Sequence, residues 1–440
     1  MYKNKIISVF LIIFIAVCFS SCGALSPNKN ADNEPKPESP QEDKEDSTVL
    51  EDIVLVNSDN SKIYAETDVG EYEFRMWPLE LIGDVSPSTI YANITYLDFE
   101  TNQLVYLCNE PGCLHNNENC SSFIQYSRSG KIFTNKNKDR IYFLSGGVED
   151  EEIASENDLA CIYEMALDGS SRRILAQFDS NQFMLRDDRV FSSDNALFLC
   201  VCKTDANTKS TVKELVRVDL DTGEESVLDT LEMSEHLLHM IDNNNYIVVS
   251  RTGEIGERII KYYRRDILSG ETEVLLEPVS GDRTLMFDDW LVTLHRIDDD
   301  VEMTAYNVRT GGQKNMTFND IPDISYNILC WYDGMFLFKY RKENMNDAGY
   351  YVNLNTGEMS DNVLCYTNSG YNRLTNIYAD AGDKYVVVAG RGLKQWVVTD
   401  KEGIPHLIQD DQGNRIALIL KEDFWNGVPN YEWTESKMTA

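Results

Sequence analysis

The stretch ELVRVDLDTGEESVL, residues 214 to 228, carries the clearest signal of the fold. Apolar and polar residues alternate on both sides of its central DLDTG, and a period of two is typical of a half-buried β-strand. Gly223 can adopt the positive φ of a tight turn, and the Asp219 side chain can bond the backbone of that turn. This stretch is therefore predicted to form a β-hairpin.

The same hairpin pattern recurs along the chain. The other copies are LDFETNQ (97 to 103), ALDGSSR (166 to 172), RDILSGE (265 to 271), YNVRTGG (306 to 312), VNLNTGE (352 to 358) and VTDKEGI (398 to 404). The seven turn positions are Asn102, Gly169, Gly223, Gly270, Gly311, Gly357 and Gly403, separated by 67, 54, 47, 41, 46 and 46 residues. Such an interval holds four short strands, so the repeat predicts an all-β fold, a β-propeller of four-stranded blades that bury one another's faces.

Seven hairpins predict seven blades, and six or eight stay open because the repeat does not define the first unit or the ring closure. The propeller is predicted to occupy residues 49 to 435. Strand-like stretches near residues 50 to 76 and 415 to 422 are expected to complete the first and last blades. Joining the two ends within one sheet would close the ring and remove exposed edges. Two stacked β-sandwiches are the alternative, and they fit seven nearly equal units poorly.

The amino-terminal segment predicts export. A basic start, MYKNK, precedes the apolar run IISVFLIIFIAVCF, which is too short to span a bilayer comfortably as a helix. The run ends in FSSCG (19 to 23), which resembles the lipobox of bacterial lipoproteins. The resemblance implies a signal peptide over residues 1 to 21 and a diacylglyceryl group on Cys22, whereas the alternative is an uncleaved anchor helix. Both interpretations put the rest of the chain on the extracytoplasmic face of the cell membrane.

Residues 22 to 48 are predicted to be a disordered acidic tether. From residue 24 they contain four prolines, seven acidic residues and three lysines, with almost nothing apolar. Such a composition buries too little surface to offset the entropy of the chain.

The formal net charge of −33 limits the partners of this protein. Predicted signal cleavage removes two lysines and no acidic residue, which brings the charge to −35. Nucleic acid and anionic lipid headgroups would be repelled at long range, so no nucleic-acid partner is expected.

The stretch LCNEPGCLHNNENC, residues 107 to 120, is the main candidate for a metal site. It contains Cys108, Cys113, His115 and Cys120, directly after the strand QLVYL of the first hairpin, and we interpret it as an insertion between blades. Three thiolates and one imidazole form a closed tetrahedral set for a structural zinc ion without an open catalytic position. One disulfide with a spare thiol, or a plain loop with packed cysteines, are the alternatives.

The turn pattern resembles that of TolB-like and prolyl-oligopeptidase-like propellers. The lipobox, the acidic tether and the LCxxPxCxH element together resemble uncharacterised surface lipoproteins of clostridial bacteria. In TolB-like proteins the propeller is a docking surface for envelope proteins, so the resemblance implies protein binding.

No HExxH, Gly-x-Ser-x-Gly or phosphate-binding glycine motif appears in the sequence. We therefore predict a lipid-anchored, extracytoplasmic binding module for an envelope protein or a glycan, with no catalysis of its own. The alternative is a glycan hydrolase or lyase that uses carboxylates at the central funnel.

Overall fold

The structure, a computed structural model, describes residues 52–57, 64–78, 81, 89–127, 130–147, 159–185, 188–205, 207–253, 259–322 and 325–438. All of these residues belong to one of two units of the chain, Leu50–Ala440. The predicted signal peptide, Cys22 and the tether lie outside the described residues.

The described residues form β-strands with one short helix, and the strands group into seven successive blades and one two-stranded ribbon. Strand β1 (Val54–Asn57) precedes the first blade, which contains β2 (Tyr64–Glu66), β3 (Gly70–Met76), β4 (Thr89–Asp98), β5 (Gln103–Tyr106) and β6 (Phe123–Ser127). The second blade contains β7 (Lys131–Thr134), β8 (Arg140–Ser145), β9 (Cys161–Ala166) and β10 (Arg173–Gln177). The third blade contains β11 (Gln182–Phe183), β12 (Val190–Ser192), β13 (Ala196–Thr204), β14 (Thr211–Asp219) and β15 (Glu225–Leu231). The fourth blade contains β16 (Glu235–Met240), β17 (Asn245–Thr252), β18 (Ile259–Asp266) and β19 (Thr272–Leu276).

The remaining blades follow the same plan. The fifth blade contains β20 (Arg283–Phe287), β21 (Trp290–Ile297), β22 (Asp300–Asn307) and β23 (Gln313–Phe318). The sixth blade contains β24 (Tyr326–Tyr332), β25 (Met335–Arg341), β26 (Asp347–Asn353) and β27 (Met359–Ser360), followed by a two-stranded ribbon of β28 (Cys365–Asn368) and β29 (Tyr371–Leu374). The seventh blade contains β30 (Asn376–Ala381), β31 (Lys384–Thr399), β32 (Pro405–Leu420), helix α1 (Lys421–Trp425) and β33 (Glu432–Trp433), and strand β34 (Glu435–Ser436) comes last. No helix among the described residues is long and apolar enough to cross a membrane.

These sheets confirm the predicted all-β propeller with seven blades. Within a blade the strands are antiparallel and follow chain order, from a buried first strand such as β7 to an exposed fourth strand such as β27. Apolar clusters lie between adjacent blades. One of them joins Tyr142 and Ile162 of the second blade to Leu197 and Val218 of the third. Each blade thus buries the face of its neighbour, as the repeat predicted.

Six of the seven predicted turns connect the third and fourth strands of a blade, and the copy at Gly403 does not. Gly403 lies between β31 and β32, the second and third strands of the seventh blade. Because strands alternate in direction, this turn lies at the opposite end of the ring from the other six, and we call the two ends the loop end and the hairpin end. The exception arises because helix α1 replaces the hairpin between β32 and β33.

Gly223 and Gly270 give a matched test of how tightly a hairpin packs. Both have positive φ, +74° and +72°, but a Cβ on Gly223 would lie 1.9 Å from the Leu175 carbonyl oxygen, whereas one on Gly270 would meet no atom within 4 Å. Gly270→Ala is therefore expected to cost about 1 kcal/mol of stability from backbone strain alone. Gly223→Ala is expected to cost about 3 kcal/mol or more, because the second blade must also move. Urea denaturation of both variants checks this, and equal losses would contradict the close approach of Gly223 to Leu175.

The two chain ends contribute differently to the ring. Strand β34 pairs in parallel with β5, so the carboxyl-terminal end lies within the sheet of the first blade, as expected for ring closure. Strand β1 instead pairs with β12 of the third blade, through Val54 opposite Ser192 and Leu55 opposite Phe191. Ile53, which precedes β1, is buried in the apolar cluster between the third and fourth blades. The stretch at 50 to 76 therefore supplies two blades, and only its β2 and β3 belong to the first.

Candidate functional site

The cysteine loop, residues 107–122, lies within the first blade, and its assignment as an insertion between blades is wrong. Strand β4 pairs with β5 along one half and with β6 along the other, so β5 and β6 together form the outer strand of the blade. The loop leaves this outer strand opposite Ile94. The Ile94 amide donates a hydrogen bond to the Ser122 carbonyl at 2.7 Å, and the Ile94 carbonyl accepts one from the Leu107 amide at 3.0 Å. The backbone of β4 therefore closes the base of the loop.

The structure brings together all four predicted ligands. The donor atoms of Cys108, Cys113, His115 and Cys120 lie within 4.8 Å of one another, and we call this group the Cys3His cluster. His115 Nδ1 lies 3.3 Å from Cys120 Sγ. In a tetrahedral zinc site the thiolate sulfurs lie about 3.8 Å apart, so the donors need to move little to meet one ion. All eight cysteines in the described part of the chain are free thiols, so no disulfide is formed there.

Turns in the loop aim the four side chains at one point. Gly112 has a φ of +74° and lets the Cys113 amide donate to the Glu110 carbonyl at 3.1 Å. His115 itself has a φ of +54°, in the left-handed region that is uncommon for a residue with a side chain. Strained backbone of this kind clusters at functional sites, where the surrounding structure fixes it.

The first blade holds His115 from two sides. Its ring packs against Tyr106, with 4.6 Å between the ring centroids. Its carbonyl accepts a hydrogen bond from the Asn93 side chain at 2.8 Å, and the oxygen of that Asn93 side chain accepts one from Trp77 Nε1 at 2.7 Å. Partners of this kind around a metal ligand fix its orientation.

The second blade holds the other end of the loop through Arg172. Its guanidinium donates to the carbonyls of Cys120, Ser121 and Phe123 at 3.1, 2.6 and 2.8 Å. A rigid fork of N–H donors suits such a set of carbonyls. Arg172 therefore fixes the backbone that follows the last ligand.

The seventh blade covers the loop. Strands β31 and β32 form an extended hairpin, residues 384–420, which reaches past its blade at the loop end. The Asn116 side chain donates to the Asp400 carbonyl at 2.6 Å, and Lys401 Nζ donates to the Tyr91 hydroxyl at 2.7 Å. Val398 packs in one apolar cluster with buried Cys120. The Cys3His cluster therefore lies at the seam between the first and last blades, where the ring closes.

Burial shapes the protonation of the cluster. It raises the pKa of the Cys120 thiol to about 12 and lowers the pKa of His115, which favours the neutral imidazole. Burial also opposes ionisation of Cys108, but hydrogen bonds from the Glu110 backbone and the Cys113 side chain bring the Cys108 pKa below its usual value. A metal ion would replace the thiol protons of such a site.

The sequence reasoning missed a second cluster of charged groups at the same seam. Glu71 and Glu73 on β3 are 3% and 8% exposed. Glu73 forms an ion pair with Arg75. Burial, with help from Glu73, raises the pKa of Glu71 well above 4.5, and burial lowers the pKa of Lys394 on the extended hairpin to about 8. No sequence motif marked this cluster because β3 and the extended hairpin are more than 300 residues apart.

Glu71→Gln is expected to stabilise the protein, and the gain should shrink as the pH is lowered from 8 to 5. The folded-state pKa of Glu71 lies above its unfolded value, so the folded state binds the proton more tightly. Stability is therefore lost as the pH rises from the unfolded pKa towards the folded one, and glutamine does not titrate. Urea denaturation across this pH range checks the prediction. Glu277→Gln, at a half-exposed ion pair with Lys261, is the control. A parent more stable than the Glu71 variant at pH 8 would contradict it.

No known family model matches the sequence, and no curated protein matches it. Solved structures similar to this chain include an oligogalacturonate lyase in complex with manganese, which is 12% identical with a TM-score of 0.42, over 83% of this chain and 98% of the lyase. The β-propeller domain of the trilobed protease from Pyrococcus furiosus is 11% identical with a TM-score of 0.43, over 83% and 98% of the two chains. TolB from Acinetobacter baumannii is 10% identical with a TM-score of 0.30, over 83% and 82%. With TM-scores below 0.5, these similarities carry no inference about activity, and the propeller assignment depends on the strand topology of this chain.

Proposed function

We propose that this protein is a lipid-anchored, extracytoplasmic propeller that binds an envelope protein or a glycan without catalysing a reaction. The observation that carries the proposal is the closed character of the Cys3His cluster: three thiolates and one imidazole leave no coordination position for a substrate. Glu71 and Glu73 are buried in the seam, which supports a structural role for their carboxylates. In this proposal both groups stabilise the ring, and the surface of the ring binds the ligand.

The Cys3His cluster, in this proposal, binds one structural zinc ion. The donor set suits zinc, because thiolate and imidazole are its preferred ligands in closed sites. Hydrogen bonds from Asn93 and Arg172 and the ring of Tyr106 already hold the loop in the required shape. The ion would link the four ligand side chains and make the cysteine loop rigid beneath the extended hairpin.

The anchor in this proposal is a diacylglyceryl group on Cys22, joined to the propeller by the tether of residues 22 to 48. Its support is the basic start, the apolar run and the lipobox-like FSSCG of the sequence, together with the resemblance to surface lipoproteins of clostridial bacteria. Cys22→Ser is expected to abolish incorporation of labelled palmitate in expressing cells. Equal labelling of parent and variant would contradict the anchor.

Binding without catalysis is tested on the soluble ectodomain, residues 23 to 440. The ectodomain is immobilised and exposed to a panel of envelope polysaccharides and purified extracytoplasmic proteins, while mass spectrometry follows the ligands. The proposal expects saturable binding to a panel member, with the ligand recovered intact. Turnover of a ligand into smaller products would contradict it.

A catalytic role is the second candidate, and the perturbed pKa values of Glu71 and Lys394 favour it, since such shifts cluster at active sites. If ligand cleavage is found, Glu71→Gln should abolish it. Cleavage that survives this substitution would exclude Glu71 as the catalytic carboxylate.

A further inference from the structure

Two concave surfaces lie side by side at the cysteine loop. The first, of about 670 Å³, lies between the first and second blades and is lined by Gln125, Tyr163, Arg172 and Gln177 among others. The second, of about 490 Å³, lies between the cysteine loop and the tip of the extended hairpin. Glu118 lines both, so the two surfaces adjoin at this residue of the loop, and we call them together the groove.

The part of the groove at the second blade has an aromatic wall. The Tyr163 ring stacks on Phe143 with 4.2 Å between centroids and 8° between planes. Tyr163 is half-buried, so the stack holds its ring in place while part of the side chain stays accessible in the lining of the groove. The amide side chains of Gln125 and Gln177 share this lining. An aromatic platform beside amide groups matches the alternating apolar faces and hydroxyl groups of a sugar ring.

The part at the extended hairpin is lined by amides and by charges of both signs. Asn117 and Asn119 are exposed on the loop wall, and Lys401 and Glu402 are exposed on the hairpin wall. The Asn117 side chain donates to the Asn116 side chain at 3.0 Å and accepts from the Asn119 amide at 3.1 Å. These hydrogen bonds fix the orientation of the Asn117 side chain and of the backbone at Asn119.

Charge in the groove is balanced, whereas the whole chain carries −33. Arg172 and Lys401 offset Glu118 and Glu402, so the lining contains no excess of either sign. The Arg172 guanidinium is already engaged by three backbone carbonyls. The groove therefore suits a ligand rich in hydroxyl groups and poor in charge.

The loop wall depends on the Cys3His cluster, because residues 116–119 lie between two of its members, His115 and Cys120. Fixing both ends of this short segment preorganises Asn117 and Asn119, and preorganisation reduces the entropy lost when a ligand binds.

We propose that this groove binds a neutral oligosaccharide strand, with a sugar ring on Tyr163 and hydroxyl groups bonded to Gln177 and Asn119. The proposal deepens the binding role proposed above by naming its ligand class and its site. The two adjoining surfaces, one beside β10 and one beside the hairpin tip, would bind successive sugar units of such a strand. The Cys3His cluster would then serve recognition as well as ring closure.

The test is calorimetric titration of the ectodomain with hexasaccharides of glucose, mannose, xylose and N-acetylglucosamine, with a galacturonate hexamer and a hexapeptide as comparisons. We expect one or more of the neutral hexamers to bind. Gln177→Ala and Asn119→Ala, both at exposed positions, should each weaken that binding several-fold, and Tyr163→Ala by about tenfold. Tyr371→Ala, which removes an exposed tyrosine from the ribbon outside the groove, should leave it unchanged.

Three results would overturn the proposal. Neutral hexamers that bind equally well to the Gln177, Asn119 and Tyr163 variants would place the glycan elsewhere and leave the binding role intact. Binding of the hexapeptide alone, weakened by these substitutions, would make the groove a protein site. If no oligosaccharide of the panel binds, a glycan is excluded as the ligand of the proposed binding role.

Discussion

Cys120→Ser is expected to abolish zinc binding and to lower the free energy of unfolding by about 4 kcal/mol or more. Cys120 is 2% exposed and lies in the apolar cluster that joins the first and last blades. Losing one of four ligands would release the ion, and its contribution to fixing the cysteine loop beneath the extended hairpin would be lost. Urea denaturation of the ectodomain, with metal content measured by plasma mass spectrometry, gives both quantities.

Two controls distinguish the loss of a zinc ion from the loss of side-chain packing. Cys365 is an exposed free cysteine on the ribbon, so Cys365→Ser should change the stability by no more than about 0.5 kcal/mol. A strong chelator should destabilise the parent and have no further effect on the Cys120 variant, since that variant has no zinc to lose. If the chelator changes the stability of both proteins equally, its effect does not depend on the Cys3His cluster. The loss caused by Cys120→Ser then comes from packing, and the zinc proposal fails.

Lys213→Met is expected to cost about 3 to 5 kcal/mol, because it removes the ammonium partner of the buried Asp188 carboxylate and leaves the His236 imidazole, 3.3 Å from Oδ1, beside it. The Lys213 side chain is fully buried between the third and fourth blades. Its ammonium donates to the Glu235 carbonyl at 2.8 Å and lies 3.6 Å from Asp188 Oδ2. The carboxylate of Asp188 is itself 4% exposed, so water cannot replace the lost charge.

The matched comparison is Lys261→Met. Lys261 pairs with Glu277 at 2.6 Å in the fourth blade, but the two side chains are 34% and 54% exposed. Solvent screens such a pair, so its loss should cost far less than the loss of Lys213. The double variant Lys213→Met with Asp188→Asn should recover part of the loss, since it removes the uncompensated charge. Similar losses for Lys213→Met and Lys261→Met would contradict the buried ion pair.

The blades could be predicted from sequence because their signals are local. Strand alternation and the turn residues of ELVRVDLDTGEESVL lie within fifteen residues and need no distant partner. The Cys3His cluster could also be predicted from sequence, because its four members lie within thirteen residues of one another.

The features that could not be predicted depend on contacts between distant parts of the chain. The turn at Gly403 has the same local chemistry as the others, but it joins the second and third strands of its blade, β31 and β32, and therefore lies at the other end of the ring. The Asn116 side chain reaches the Asp400 carbonyl across 284 positions of sequence, and no short-range pattern signals that contact. The cluster of Glu71 and Lys394 and the pairing of β1 with β12 could not be predicted either, because both depend on contacts between residues far apart in sequence.

Native mass spectrometry of the ectodomain, residues 23 to 440, purified without added metal, shows whether the Cys3His cluster holds zinc. We expect one zinc ion per chain, with Cys108, Cys113 and Cys120 protected from alkylation until the ion is lost. A metal-free chain with a mass about two daltons low would contradict the zinc site, because a disulfide would then hold the cysteine loop.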